Sequence, residues 1–127
     1  MDIGRIVAGS LMNREVNRSA AYRGYAAPLV GYESKAGAQR FPQMLPFLGG
    51  ADGDPEGQEE CFRLLPRLKK PTHFFWGDSD SIFPAEQGRE WAATVPGSTF
   101  DLMPNAGHFI QEDAGRAIIE RVAAYVG

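Results

Sequence analysis

The chain has 127 residues, a formal net charge of −3, and 43% hydrophobic against 23% charged side chains. Those proportions exclude a wholly disordered, collagen-like or coiled-coil chain, while the single Cys61 and two histidines exclude a disulfide framework, a cysteine-based zinc site and a His-rich metal site. No apolar run approaches the ~18 residues of a spanning helix, and Met1–Arg5 lacks the basic start and apolar stretch of a signal peptide, so a cytoplasmic setting without membrane or metal is expected.

The length suits one domain able to bury roughly two thirds of its unfolded surface. Charge divides unevenly, +3 over residues 1–50 and −6 over residues 51–127. Neither part has a basic stripe with interleaved aromatics, so no nucleic-acid partner is expected. Small, turn-forming and acidic residues from Gly49 to Pro55 read as a flexible loop between two units.

Before that loop the signals are helical. Asn13 can cap a helix from Arg14 to about Gly24, with Met12, Val16 and Ala20 as a thin apolar stripe. Ala27-Pro28 breaks it. A second helix is predicted from Tyr32 or Glu33 through Arg40, ending before Pro42. Short helices with exposed basic residues suit a lid.

After the loop, Cys61, Leu64, Leu65 and Leu68 lie at helical spacing until Pro66 ends or kinks the helix, with Cys61 expected in the core. The continuous apolar run Thr72–Trp76 predicts a strand buried on both faces, as in a parallel sheet. His73 reads as a core residue or the start of that strand, and Phe74, Phe75 and Trp76 as core. Pro84 opens a helix to about Thr94, whose Trp91 packs onto the sheet, and Pro96-Gly97 closes it. Thr99–Met103 is a second strand. A last helix runs from about Ala114 to Val126, with Ala114, Ile118, Val122 and Tyr125 as its stripe and Glu112 and Asp113 serving its N-terminus.

Strand, helix, strand, helix is the α/β pattern, and a crossover of about 30 residues makes the strands parallel. Two turns then share one end of the sheet, Gly77-Asp78-Ser79-Asp80 and Asn105-Ala106-Gly107-His108. Active sites of open α/β sheets lie at these carboxyl ends. His108 on its turn is a candidate general base near neutral pH. A carboxylate on the neighbouring turn would fix its tautomer and leave one ring nitrogen to take a proton. Asp80 and Asp78 compete for that role. Asp78 should still follow the strand's alternation toward a sheet face, whereas Asp80 lies beyond the turn and can project over the carboxyl edge. The chain holds no Gly-x-Ser-x-Gly elbow and no phosphate-binding glycine loop, so no cofactor is expected.

Residues from about Tyr22 to Gly127 resemble the C-terminal part of the α/β-hydrolase fold, most closely the haloalkane dehalogenases. The matching stretches are Tyr25-Ala26-Ala27-Pro28, Lys35-Ala36-Gly37-Ala38 with Arg40-Phe41-Pro42, Gly77-Asp78-Ser79-Asp80 and Ala106–Asp113. The resemblance implies residues 1–50 as a partial helical cap, 51–55 as a loop, and 56–127 as the last two parallel strands with flanking helices. It implies catalytic His108 as base and Asp80 as acid, acting on an ester that a carboxylate nucleophile forms by displacing halide. That nucleophile, its adjoining tryptophan and the oxyanion loop lie upstream in the family and are not in this sequence. Trp76 and Trp91 do not match the halide-binding positions, and Leu29-Val30 stands where the family often has Phe-Pro. The expected protein is therefore the second half of a hydrolase, inactive alone, with Met1 an internal methionine or a late start. Completed by an N-terminal half it would take a small apolar substrate, and alone it would self-associate through an unpaired strand edge. The alternatives are an epoxide hydrolase-like or other α/β-hydrolase fragment, a split enzyme completed by another chain, and a non-catalytic interaction module.

Overall fold

The two apolar runs form parallel strands, β1 (His73–Gly77) and β2 (Thr99–Met103), in a computed structural model that describes residues 1–45 and 53–126. The register sets His73 opposite Thr99 and Gly77 opposite Met103, so both strands end level. Helix α5 (Ala85–Thr94) connects them. Pro84 precedes it with φ at −56°, already the value a helix start needs, and Gly97 leaves the helix at φ +74°. The helix lies so close to the sheet that a Cβ on Gly88 would sit 2.5 Å from the Trp76 ring. Trp91 meets Trp76 edge-on at 6.0 Å, as the sequence predicts.

Phe74, Phe75 and Trp76 are half-buried rather than core. The reason is sheet width: among the described residues the sheet has two strands, so β1 has a neighbour on one edge only. Cys61 departs further from its expected place. It stands exposed on α4 (Pro55–Leu64), which ends ahead of Pro66 in a short 3-10 turn, Leu65–Arg67. Phe62 touches Trp91 edge-on at 5.3 Å, yet Phe62, Leu64 and Leu68 are each about 40% exposed because little covers that apolar stripe. Of the expected loop, residues 49–52 lie outside the described residues. Asp54 caps α4, accepting from Gly57 N at 2.9 Å, and Pro55 is its first residue.

Near the N-terminus, helix α1 (Ile3–Ser10), capped by Asp2, was not anticipated from the sequence. Its two glycines weaken the helical signal, but Gly4 is where α2 (Arg18–Ala26) crosses: a Cβ there would lie 2.6 Å from Tyr22 O. Helix α2 starts at Arg18 and not Arg14, capped by Asn17; Asn13 accepts from Glu15 N at 2.9 Å in a turn of its own, and its amide donates to Asp113 O. The buried cluster is accordingly Val7, Leu11 and Ala21, while Met12 and Ala20, expected in the stripe, are exposed. Arg18 donates to the carbonyls of Ala8 (2.7 Å) and Leu11 (2.6 Å), satisfying the open end of α1. A 3-10 turn, Glu33–Lys35, leads into α3 (Ala36–Gln43), which includes Pro42 instead of stopping before it. The proline falls in the final turn, where it forfeits its own N–H bond to the preceding turn without ending the helix.

Helices α6 (Ile110–Asp113) and α7 (Gly115–Val126) close the chain. Tyr125 does not bury. It stacks on His73 at 3.8 Å between ring centres and donates to Asp101 Oδ2 at 2.8 Å, while Arg121 donates to Asp101 Oδ1. These contacts tie α7 to the outer side of the sheet. No helix among the described residues is long and apolar enough to cross a membrane.

Candidate active site

The level ends of β1 and β2 bring their turns side by side. Asp78 N donates to Met103 O and Ser79 N to Ala106 O, each at 3.0 Å, extending the strand ladder into both turns. Gly77 permits this approach, since a Cβ on it would stand 2.7 Å from Gly107 O and 2.8 Å from the Ala106 carbonyl carbon. Asn105 reverses the second turn at φ 54°, a conformation asparagine tolerates better than most residues.

His108 Nδ1 lies 3.1 Å from Asp80 Oδ2. The other Asp80 oxygen accepts from Ile82 N at 2.9 Å and Phe83 N at 3.0 Å, so the turn itself aims the carboxylate. The side chains are 9% exposed for Asp80 and 31% for His108. A carboxylate at Nδ1 selects the tautomer with its proton there, an assignment from the bonding pattern. Nε2 then offers its lone pair, and among the described residues no group bonds it.

Asp78 takes a different part. Its Oδ1 accepts from Ser79 Oγ at 2.8 Å and from Ala106 N at 3.4 Å, so it braces the loop carrying His108 rather than facing a side of the sheet. Of the two competing carboxylates, Asp80 is the one at the ring. His73, at the far end of β1, bonds Thr99 Oγ1 at 2.6 Å and takes no part.

Phe83 and Phe109 flank the imidazole at 5.3 and 5.4 Å between ring centres. Asp80 and His108 face a cavity of about 180 Å³ whose walls include Phe75, Trp76, Phe83 and Ile110. Larger clefts of about 380 and 370 Å³ lie around Asn13 and Glu15 on the outer surface, lined by neither His108 nor Asp80. Phe83 and Ile110 carry no sequence signal beyond lying just after the two turns.

Glu112 and Asp113 do not serve the last helix, which begins at Gly115. Glu112 accepts from Tyr25 OH at 3.1 Å, and Asp113 is turned inward onto Gly107 N at 2.9 Å. Their real partners lie about a hundred residues away or across a turn, which local helical spacing does not reveal.

A model of the alpha/beta hydrolase fold family matches residues 31–115. Haloalkane dehalogenases of Mycobacterium marinum and Mycolicibacterium paratuberculosis are 30% and 32% identical to the chain over 124 residues. Each alignment covers 96% of this chain and 40% of the relative, so the chain spans well under half the length of these relatives. A serine hydrolase of carbazole degradation superposes with a TM-score of 0.66 at 16% identity, over 98% of this chain and 45% of its own, a likeness of fold.

Proposed function

Because the chain belongs to the alpha/beta hydrolase fold family, we propose that it supplies the base and its orienting acid to a haloalkane dehalogenase-like hydrolase. The observation that carries this reading is the 3.1 Å contact of His108 Nδ1 with Asp80 Oδ2 beside a small apolar cavity. In the proposed reaction a carboxylate from outside these 127 residues attacks the carbon bearing the halogen. Halide leaves with the bonding electrons and an ester forms. His108 Nε2 then takes a proton from water, the resulting hydroxide attacks the ester carbonyl, and alcohol departs as the carboxylate is restored. Asp80 holds the ring and stabilises the imidazolium formed during water attack.

The dehalogenase relatives, at about 30% identity, support halogenated alkanes as the substrate class. The coding DNA upstream of Met1 tests the reading. An in-frame segment encoding a strand, an Asp-Trp turn and a helix is expected. A stop codon and promoter in that place would overturn it in favour of a split enzyme or an interaction module.

The same reading makes the free edge of β1 a docking edge for a further parallel strand. The accessible surface, 8965 Å², exceeds by roughly a third the ~6,700 Å² of a folded monomer of this mass. An apolar strand with an open edge is a template for pairing. Analytical ultracentrifugation of the purified chain should find self-associated species that bind a hydrophobic dye. A monodisperse monomer with a sharp melt would mark a self-sufficient domain instead. The exposed free thiol of Cys61 suits a reducing, cytoplasmic compartment.

A further inference from the structure

The least expected group near the site is the Asp113 carboxylate, 5% exposed and outside the proposed chemistry. A buried carboxylate is costly unless hydrogen bonds replace its water. Asp113 receives three backbone N–H groups. Met12 N reaches both oxygens at 3.1 Å, Asn13 N reaches Oδ1 at 3.0 Å, and Gly107 N reaches Oδ2 at 2.9 Å. The Asn13 side-chain amide also donates to Asp113 O at 2.8 Å. One carboxylate thus joins the segment after α1 to the residue immediately before His108.

Close packing repeats the link. A Cβ on Gly107 would lie 2.9 Å from Met12 Cγ and 3.2 Å from Ser10 O, so the N-terminal segment lies directly on the residue that precedes the histidine. On the other side of His108, the ring of Tyr25 from α2 meets Phe109 edge-on at 6.2 Å. Its hydroxyl donates to Glu112 and accepts from Gln111 Nε2 at 2.9 Å. The pair α1–α2 therefore grips the loop both before and after the imidazole.

We infer that Asp113 is a positioning residue: through Gly107 N–H it holds His108 against Asp80, and it makes that placement depend on the docked α1–α2 pair. The inference rests on the reading of His108 as the base. Loss of the carboxylate frees the Gly107 backbone, and the ring's distance to Asp80 is then no longer defined. The charge matters because hydrogen bonds to a carboxylate are stronger than those to a neutral amide. The amide of Asn would also turn a donor toward N–H groups that are themselves donors.

The test compares the unaltered chain with Asp113→Asn, Asp113→Glu and Leu11→Ala, by hydrogen exchange and by the rate at which diethyl pyrocarbonate modifies His108. His73 is the other histidine of the sequence and serves as the internal reference. In the unaltered chain the amides of Met12, Asn13 and Gly107 should exchange slowly and together. Asp113→Asn should speed Gly107 exchange about tenfold or more and raise His108 modification relative to His73, with β1 and β2 amides unchanged. Asp113→Glu should restore part of both. Leu11→Ala, in the α1–α2 core away from the imidazole, should also raise His108 modification. This last variant keeps the test open if Asp113→Asn unfolds the sheet. A His108 rate unchanged in Leu11→Ala, or a Gly107 amide that exchanges freely in the unaltered chain, overturns the inference. No turnover is measured, so failure of the hydrolase reading and failure of this coupling are separately visible.

Discussion

The purified 127-residue chain should release no halide from short bromoalkanes or chloroalkanes above the buffer rate. A positioned base typically contributes about 10²- to 10⁴-fold to a rate, and in the proposed reaction that contribution acts on an ester formed by a different group. His108 and Asp80 are proposed to activate water, and displacing halide from a saturated carbon is the nucleophile's task in that proposal. Joined to an upstream strand, nucleophile turn and helix, the same chain should turn over bromoalkanes. His108→Ala should then lower turnover by about 10²- to 10⁴-fold and leave ester trapped on the enzyme, visible as added mass. Asp80→Asn should also slow the step after ester formation, since the acid sets the tautomer and stabilises the imidazolium. Halide release by the isolated chain that vanishes in His108→Ala would show that these residues contain a nucleophile after all.

Among the described residues, Gly77→Ala should be the most damaging glycine-to-alanine change. The added Cβ would stand 2.7 Å from Gly107 O and 2.8 Å from the Ala106 carbonyl carbon, both backbone atoms with no rotamer to change. Overpacking of this kind costs about 1–3 kcal/mol, and relief requires the two turns to part. The bonds Asp78 N to Met103 O and Ser79 N to Ala106 O open with them, and Asp80 loses its reach to His108. The expected results are a lower urea midpoint and faster modification of His108 relative to His73. Gly37→Ala is the matched control. Nothing lies within 4 Å of its Cβ position on α3, and alanine there should be neutral or stabilising by about 0.5–1 kcal/mol. Equal midpoints for Gly77→Ala and the unaltered chain would mean that the turns are not packed as described.

The parts of the fold whose causes are local were readable from the order of residues. Continuous hydrophobicity at Thr72–Trp76 marked β1, proline and glycine punctuation bounded α5, and the short crossover made β2 its parallel neighbour. From that topology alone the two turns had to meet, so the pairing of His108 with a carboxylate of the Gly77–Asp80 turn was legible in the sequence. The expected reason for separating Asp80 from Asp78 did not hold, because Asp78 also reaches over the strand ends to Ala106 N; what aims the Asp80 carboxylate at the ring is its turn onto Ile82 N and Phe83 N.

Features whose causes lie far along the chain emerge when the segments pack together. Asn13 has the makings of a helix cap, and its Oδ1 does accept from Glu15 N, yet its backbone N–H and side-chain amide go to Asp113, a hundred residues away, and Asn17 caps α2. Asp113 has the position of an ordinary first-turn acid and is instead buried by that same contact. Helix α1 is weakly helical by composition and exists against α2, where Gly4 lets the backbones touch. Cys61 lies on an apolar stripe but remains exposed, because periodicity states which face is apolar and not whether anything covers it. A residue's neighbours within a turn or two are written in the local sequence, whereas burial and long-range hydrogen bonds depend on which surfaces the folded chain brings together.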